Sequence, residues 1–269
     1  MLAKITRIKS LLVLLLFFLS HNLTTFTQSN NFNPKISIIT SIYNSDKFIE
    51  HFLNNITQQT IFNQCELILI NANSPGIIEE DIILKYQQVY PNIIYQRLAK
   101  DPGLYAVWNL AIKQARGQYI TNANVDDRLF HNCYEQHARL LDNNLDTSLV
   151  YSDFCITYKP NVNIETMDRG WRINHLEFSL AAIKLSCLPS FNPMWRRSIH
   201  DICGFFDEKF MIVGDYEMWI RMVTCGLKFK KCNEMLGVYY CNPTGLSVSN
   251  YKINVEQRII HEQYKEFFA

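Results

Sequence analysis

The 269-residue chain lacks most of the signals that assign a sequence to a specialised class of protein. Its nine glycines and eight prolines are few and scattered, which excludes collagen-like and low-complexity chains. Lysine plus arginine number 26 against 25 aspartates plus glutamates, so the net charge of +1 gives no general attraction for nucleic acid. Hydrophobic residues make up 48% of the chain and charged residues 19%, a balance that supports a packed core.

Motifs of metal, redox and nucleophilic sites are also missing. The eight cysteines form no CxxC pair and no cluster with histidine at the spacing of a zinc site. We interpret them as small buried apolar residues; the alternative is disulfides in an oxidising compartment. No G-x-G-x-x-G follows the first predicted strand, which argues against a dinucleotide-dependent oxidoreductase.

An apolar run near the N-terminus is too short to cross a membrane. Nine apolar residues at 11–19 follow the basic Lys4, Arg7 and Lys9 and precede a polar stretch. This order is typical of a secretory signal peptide, whereas a spanning helix needs about 20 apolar residues. We predict that residues 1–28 are a signal peptide or a short signal-anchor. The protein then acts in the secretory pathway or outside the cytoplasm, or alternatively on the cytoplasmic side in association with the membrane.

From Lys35 onward, β-branched apolar runs alternate with amphipathic stretches. This alternation predicts βαβ units, and therefore a mostly parallel, Rossmann-like sheet flanked by helices. Ligands of such sheets bind beyond the carboxyl ends of the strands. No linker or repeat interrupts the pattern, so we predict one α/β domain over residues 33–269. The predicted strands are 36–42, 66–70, 92–95 and 119–121, and the predicted helices are 47–59, 77–90 and 104–116.

After Leu129 the pattern becomes less regular, and residues 155–190 have weak periodicity. The predicted helices in this half are 131–141, 195–203, 216–225 and 255–268, and the predicted strands are 148–154, 211–213, 227–231 and 236–241.

Adjacent carboxylates follow the fourth predicted strand, in the sequence Asn124-Val125-Asp126-Asp127. Mg²⁺ and Mn²⁺ prefer oxygen ligands and commonly share them with substrate phosphates, so a metal site is one interpretation. The other is capping of the next helix, where aspartate is favoured for local reasons. These residues alone favour the cap.

A second acid, Asp215, follows the apolar Met211–Val213 and opens an amphipathic helix. A carboxylate held at such a junction has the position of a general base, although helix capping again explains it locally. Trp195 either stacks on a ligand or packs in the core, and Trp219 fits core packing better.

Taken in chain order, these features resemble those of the family 2 glycosyltransferases, which have the GT-A fold. The resemblance extends over about residues 35–249. It rests on the first strand and helix (35–60), the second strand and its loop (65–74), the segment 101–120, the acid pair in the position of the DxD-like motif (124–127), and the acceptor-side segments 193–196, 204–208 and 214–219.

The resemblance implies inverting transfer of a sugar from a nucleotide-diphosphate donor to a hydroxyl of a glycan, lipid-linked or protein-linked acceptor, with Mn²⁺ or Mg²⁺ as cofactor and no nucleic acid. It makes Asp127 the metal ligand and Asp215 the general base. The implied donor-binding residues are Thr40, Ile42, Tyr43, Asn71, Asn73, Asp101, Gly103, Trp108, Asn109, Asn124 and Asp126, and the implied acceptor-binding residues are Trp195, Arg196 and Glu217.

Three positions depart from the family pattern. Asn71 stands where a carboxylate usually reads the nucleotide base, Trp108 where an arginine is frequent, and Asn124 where the metal motif has its first acid. An asparagine still offers a donor and an acceptor. Asn71 and Asn124 favour an alternative function, a catalytically silent GT-A-like domain that binds glycans or a partner protein. The intact Asp126, Asp127 and Asp215 favour the enzyme.

Overall fold

The computed structural model describes residues 32–167, 170–246, 248 and 252–269. The chain divides into two units, residues 1–33 and 34–269. The predicted targeting segment, residues 1–28, lies outside the described residues, and the start of the domain at residue 33 stays a prediction. None of the described helices has both the length and the apolar character that a membrane span requires.

Strand β1 (Ile36–Ile42) is almost entirely buried because helices cover both faces of its part of the sheet. Its alternate residues Ile36 and Ile38 pack into one buried cluster, and Ile39 packs into another. β1 pairs in parallel with β2 and β4, and β2 pairs in parallel with β3. The predicted parallel arrangement is therefore confirmed in this half. The three partner strands are β2 (Cys65–Asn71), β3 (Ile93–Arg97) and β4 (Tyr119–Asn122).

Helices from the intervening segments pack on the two faces. α1 (Ile49–Thr57) and α2 (Ile78–Val89) contribute to the cluster that contains Ile38, and α3 (Leu104–Gln114) contributes to the cluster that contains Ile39. The whole sheet has the order β3-β2-β1-β4-β8-β6-β9-β5, with β7 paired to β6. The later strands are β5 (Arg128–Leu129), β6 (Thr147–Thr157), β7 (Trp171–Ile173), β8 (Met194–Arg196) and β9 (Lys228–Tyr240), and the later helices are α4 (Cys133–Asn143), α5 (Leu180–Leu185), α6 (Ile199–Cys203), α7 (Gly214–Thr224), α8 (Lys252–Gln263) and α9 (Lys265–Phe268).

The second half of the sheet is mixed, and here the structure corrects four predicted elements. Residues 195–203 are not one helix, because β8 enters the sheet between β4 and β6 before α6 begins. Residues 211–213 are an irregular loop and not a strand. The two strands predicted at 227–231 and 236–241 are the single strand β9, which runs parallel to β6 with bulges. The buried state predicted for the cysteines holds for Cys65, Cys133, Cys155, Cys203 and Cys232.

Close approach between β1 and the turn before β4 depends on Gly117. Its N–H donates to the Ser37 hydroxyl at 2.8 Å, and that hydroxyl donates to the buried Glu66 at 2.6 Å. Arg116 completes this network by an ion pair with Glu66 at 2.8 Å. A Cβ at Gly117 would lie 2.6 Å from the backbone nitrogen of Ser37, so the two segments would have to move apart.

We predict that Gly117→Ala lowers the free energy of unfolding by roughly 1–3 kcal/mol, the usual cost of forcing an extra carbon into a packed site. Urea denaturation measures the change. Gly76→Ala is the matched control, because a Cβ there meets its nearest atom only at 3.9 Å, and it should change stability by less than about 0.5 kcal/mol. Equal effects of the two substitutions would contradict this account of the close approach.

Candidate active site

The carboxyl ends of the four parallel strands meet at one edge of the sheet. The register pairs Ile42 with Asn71 and Asn71 with Arg97, and it places Ile39 of β1 beside Asn122. The loops that follow these strands are therefore neighbours, at the edge where α/β sheets bind ligands. Six of their exposed residues form what we call the rim: Tyr43, Asn44, Asn73, Asp101, Gly103 and Asn124.

A buried glutamate ties two rim loops together. Glu79, in the first turn of α2, is 0% exposed and accepts hydrogen bonds from the Ser45 N–H and, at 3.2 Å, from Nδ2 of Asn71. Asn71 in turn accepts the N–H of Ser74 at 2.8 Å. Asn71 is itself 0% exposed, so it fixes the loop from inside and does not face a nucleotide, contrary to the sequence-based assignment.

The sequence analysis missed Glu79. Its signal was the acidic start of α2, Glu79-Glu80-Asp81, but three successive acids do not show which one turns inward. Glu80 lies next to Arg97 at 3.5 Å and stays partly exposed.

The acid pair after β4 is held by the end of β9. Asp127 is buried. Its Oδ1 accepts a hydrogen bond from the Tyr240 N–H at 2.9 Å, and its Oδ2 accepts one from Nδ2 of Asn124 at 3.0 Å. The half-buried Asp126 accepts Nδ2 of Asn242 at 3.3 Å. Burial, together with the neighbouring Asp126, raises the pKa of Asp127 to about 8. Burial also raises the pKa of Asp126.

Two neighbouring acids with raised pKa values are an environment that a bound cation would relieve. Each carboxylate oxygen of Asp127 accepts one N–H and retains a second lone pair. Within the described ranges, no group of three or more His, Cys, Asp or Glu side chains is placed to hold a metal. Asp126 and Asp127 therefore fit a Mg²⁺ or Mn²⁺ ion that takes its other ligands from substrate phosphates and water, as Mg²⁺ usually does.

A small cleft lies beside Asp127, and its polar lining includes two asparagines that the sequence analysis did not select. Asn122 and Asn192 are both buried, and in the described part of the chain the Oδ1 atom of each has no hydrogen-bond partner. Phe52 and Phe191 line the apolar side of the cleft. Two unpartnered, buried acceptors thus lie on residues that line the cleft next to the acid pair. No local sequence pattern distinguishes these two from the other asparagines of the chain.

Asp215 lies in the first turn of α7 and is half-buried. Its Oδ1 accepts the Tyr216 N–H at 2.8 Å, and the hydroxyl of Tyr105 lies 3.4 Å away. Burial raises the pKa of Asp215 to about 6. The carboxylate is therefore ionised near neutral pH and still basic enough to accept a proton, which is the condition for a general base.

Tyr105 connects Asp215 to the rim. It belongs to the first turn of α3, directly after Gly103, and its hydroxyl donates to the carbonyl of Ile212 at 2.7 Å. Gly214 allows this contact, because a Cβ there would lie 2.6 Å from the Tyr105 ring. Asp215 is thereby held beside the loop that follows β3, although more than a hundred residues separate it from Tyr105.

The structure corrects the acceptor-side assignments. Trp195 is 0% exposed in the centre of the sheet, and its Nε1 donates to His200 at 3.0 Å. Arg196 donates to the carbonyls of Thr147, Leu141 and Asn144. Trp195 is therefore an interior side chain, and the half-buried Arg196 is held by three backbone carbonyls.

Glu217, the third residue assigned to the acceptor, is 1% exposed. It pairs with Arg221 at 2.8 Å and accepts a hydrogen bond from the Tyr264 hydroxyl at 2.5 Å. This carboxylate joins α7 to the C-terminal segment and does not face a ligand.

Four donor-side assignments also fall on interior side chains. Thr40 and Ile42 are buried within β1, and Trp108 packs edge-on against Tyr105 and Phe206. Asn109 exchanges hydrogen bonds with the backbone of Phe206 at 2.9 and 3.0 Å. Of the residues predicted to bind the donor, the structure places Tyr43, Asn73, Asp101, Gly103, Asn124 and Asp126 at the exposed edge.

We predict that Glu79→Ala lowers the free energy of unfolding by roughly 1–3 kcal/mol, because it leaves the N–H of Ser45 and the amide of Asn71 without their buried partner. Chemical denaturation measures the loss. Glu80→Ala, which removes only a partly exposed ion pair, is the control and should cost less than about 1 kcal/mol. If Glu79→Ala is as stable as the control, the hydrogen bonds of Glu79 to the two loops contribute nothing to the free energy of unfolding.

The amino-acid sequence is similar to one protein family and to several known proteins. The profile of glycosyl transferase family 2 matches residues 37–202. The uncharacterized glycosyltransferase MJ1057 of Methanocaldococcus jannaschii is 27% identical over 208 residues, which cover 77% of this chain and 70% of the relative. The minor teichoic acid biosynthesis protein GgaB of Bacillus subtilis is 33% identical over 114 residues, which cover 42% of this chain and 12% of GgaB.

Solved structures share the fold. S. aureus TarS (residues 1–349) in complex with UDP-GlcNAc superposes with a TM-score of 0.69 at 17% identity, covering 85% of this chain and 66% of that one. A mannosyltransferase of Pyrobaculum calidifontis, PcManGT, in complex with GDP-Man and Mn²⁺, gives a TM-score of 0.60 at 13% identity, covering 94% and 70%. This chain spans 39% of a longer TarS structure. The predicted GT-A architecture is confirmed. Since the family profile covers more than half of the chain and contains both the rim loops and the acid pair, the chain belongs to glycosyl transferase family 2.

Proposed function

We propose that the protein transfers a sugar from a nucleoside-diphosphate donor to an acceptor hydroxyl, with inversion at the anomeric carbon. The observation that carries the proposal is the carboxylate pair Asp126 and Asp127 at the carboxyl end of β4, next to the exposed rim. The UDP-GlcNAc and GDP-Man named for the TarS and PcManGT structures support a nucleotide sugar as the donor. The acceptor class is a hydroxyl on a glycan, a lipid-linked or a protein-linked molecule.

The donor would lie across the rim. Tyr43 is 53% exposed and offers an aromatic face to the nucleotide base, while Asn73 and Asn124 offer amide groups to the ribose and diphosphate. A Mg²⁺ or Mn²⁺ ion bound at Asp126 and Asp127 would neutralise the charge that gathers on the leaving diphosphate. Asn122 and Asn192 line the cleft beside the acid pair, and in the described part of the chain their buried Oδ1 atoms have no hydrogen-bond partner.

Asp215 would act as the general base. As the acceptor oxygen attacks the anomeric carbon from the face opposite the diphosphate, its proton passes to the Asp215 carboxylate. A single attack breaks the bond to the diphosphate and forms the new glycosidic bond, which is why the configuration inverts. The burial that raises the pKa of Asp215 to about 6 makes this carboxylate a stronger base than an exposed aspartate.

We predict that Asp127→Asn abolishes metal-dependent nucleotide binding without unfolding the protein. The asparagine keeps an oxygen for the Tyr240 N–H, and its neutral amide replaces a carboxyl group that is largely protonated at neutral pH because its pKa is about 8, so the melting temperature without ligand should change little. Thermal shift with UDP and GDP, with and without Mn²⁺, measures binding. Asp146→Asn, at a site that is 70% exposed, is the control. A metal-dependent shift that survives in Asp127→Asn would remove Asp127 from the site.

A second prediction concerns turnover. Asp215→Asn keeps the side chain's shape but not its basicity, so turnover should fall by roughly 10²–10⁴-fold while donor binding is retained.

The pH dependence of the native protein gives a further prediction. kcat/KM should decline about tenfold per pH unit below about pH 6, because protonation of Asp215 removes the base. Nucleotide release, assayed with an array of nucleotide sugars, measures both effects. Full turnover in Asp215→Asn would exclude it as the base, and cleavage of no donor by the native protein would favour a silent glycan-binding domain.

The raised pKa of Asp215 also determines how this residue makes the stability of the fold depend on pH. Because the folded state raises the pKa of Asp215 from 3.8 to about 6, the folded protein holds this proton more tightly than the unfolded chain. The contribution of this group to stability is complete below about pH 4 and is lost as the pH rises through about 6. Turnover therefore gains from ionisation of Asp215 in the pH range where ionisation costs stability.

A further inference from the structure

The loop before Asp215 is held by a carboxylate from the C-terminal helix. Glu256 of α8 is buried, whereas its neighbours Val255 and Gln257 are exposed. Its Oε1 accepts the N–H of Met211 at 2.8 Å, and its Oε2 accepts the N–H groups of Ile212 and Val213, both at 3.0 Å. One side chain thus satisfies the backbone donors of three successive residues.

These donors need such a partner because residues 211–213 belong to no strand or helix. A buried N–H without a partner costs about as much as a lost hydrogen bond. Successive amides that point to one spot form a concave site for an anion, and here the protein fills that site with its own glutamate. Val213 is also the residue that precedes the first turn of α7, where a negative charge is favourable.

The loop is fixed from a second side by the Tyr105 hydroxyl, which donates to the Ile212 carbonyl at 2.7 Å. α8 is anchored in turn by Ile260, one helical turn beyond Glu256 and 0% exposed. Two elements therefore hold the loop from which α7 begins: α3 through Tyr105 and α8 through Glu256. Asp215 is the second residue of that helix.

We propose that Glu256 is a positioning residue for the transfer reaction: its carboxylate fixes the 211–213 loop and thereby places Asp215 beside the rim. This inference rests on the proposed role of Asp215 as the general base. It assigns a function in catalysis to a helix that begins fifty residues beyond the part of the chain matched by the family profile.

The charge of Glu256 also acts on Asp215 directly. The titratable groups that face Asp215 are Tyr105 from α3, Cys187 from the segment after α5, and Glu256 from α8. Burial is the main cause of the raised pKa of Asp215, and the negative charge of Glu256 adds to it, whereas the Tyr105 hydroxyl opposes it. Neutralising Glu256 should therefore move the acidic limb of the pH–rate profile to lower pH.

The test compares Glu256→Gln with Glu262→Gln, an exposed glutamate on the same helix. Hydrogen exchange at the amides of residues 211–213 reports the loop without requiring activity. In Glu256→Gln these amides should exchange about 10- to 100-fold faster, the range expected when a charge-assisted hydrogen bond is lost. kcat should fall by a similar factor, and the KM for the donor should stay unchanged. The acidic limb of the pH–rate profile should move to lower pH. Glu262→Gln should match the native protein in every measurement.

Glu256→Asp is the second variant, since it keeps the charge and shortens the reach by one carbon. It should retain the acidic limb of the native profile while its kcat falls, and it keeps the test open if Glu256→Gln does not fold. Unchanged exchange at 211–213 in Glu256→Gln would overturn the proposed hold on the loop. If the amides of residues 211–213 exchange faster but kcat and the pH profile stay native, the Glu256 contact stabilises the loop and has no role in the reaction. If the native protein turns over no donor, the proposed function fails and the catalytic role of Glu256 with it, while the exchange data still report the contact.

Discussion

Burial of the central parallel strands on both faces is the constraint on which the remaining structure depends. β1 and β2 have helices on each side, so their side chains are used for packing and only the strand ends remain open to a ligand. The polar residues of the rim are therefore confined to the loops after the strands. This constraint also explains why Thr40 and Ile42, which lie only a few residues before exposed Tyr43, are interior side chains.

Two aspartates with raised pKa values serve different proposed roles because their surroundings differ. Asp127 has a second carboxylate beside it and polar acceptors in the adjoining cleft, an arrangement that favours a cation. Asp215 stands apart from the acid pair in sequence and is contacted by neutral groups, the Tyr216 N–H and the Tyr105 hydroxyl. Burial raises the pKa of Asp215 to about 6, which suits the general base proposed for it. Desolvation thus acts on both residues, and the neighbours decide the chemistry.

The later part of the chain completes a site that the earlier part begins. β9 ends beside the acid pair, where the Tyr240 N–H and the Asn242 side chain hold Asp127 and Asp126. α8 supplies the carboxylate that holds the loop before Asp215. Both contributions come from residues beyond the family profile, which ends at residue 202. The strand-end loops therefore depend on distant segments for their geometry.

The sequence by itself determined the elements of the parallel half, because β-branched runs and helical periodicity are local signals; β1 begins and ends where the pattern predicts. It also predicts that the polar loops at the strand ends carry the ligand site, and the structure brings those loops to one edge of the sheet. The acid pair and Asp215 are candidates through their resemblance to a family. Only the tertiary structure decided which polar or aromatic side chains turn inward. Trp195, Glu217 and Glu79 have no local signal of burial, since their environment is made by β6, the C-terminal segment and the loop after β1 respectively. Burial and hydrogen bonding depend on which distant segments pack together, and residue type and spacing along the chain do not contain that information.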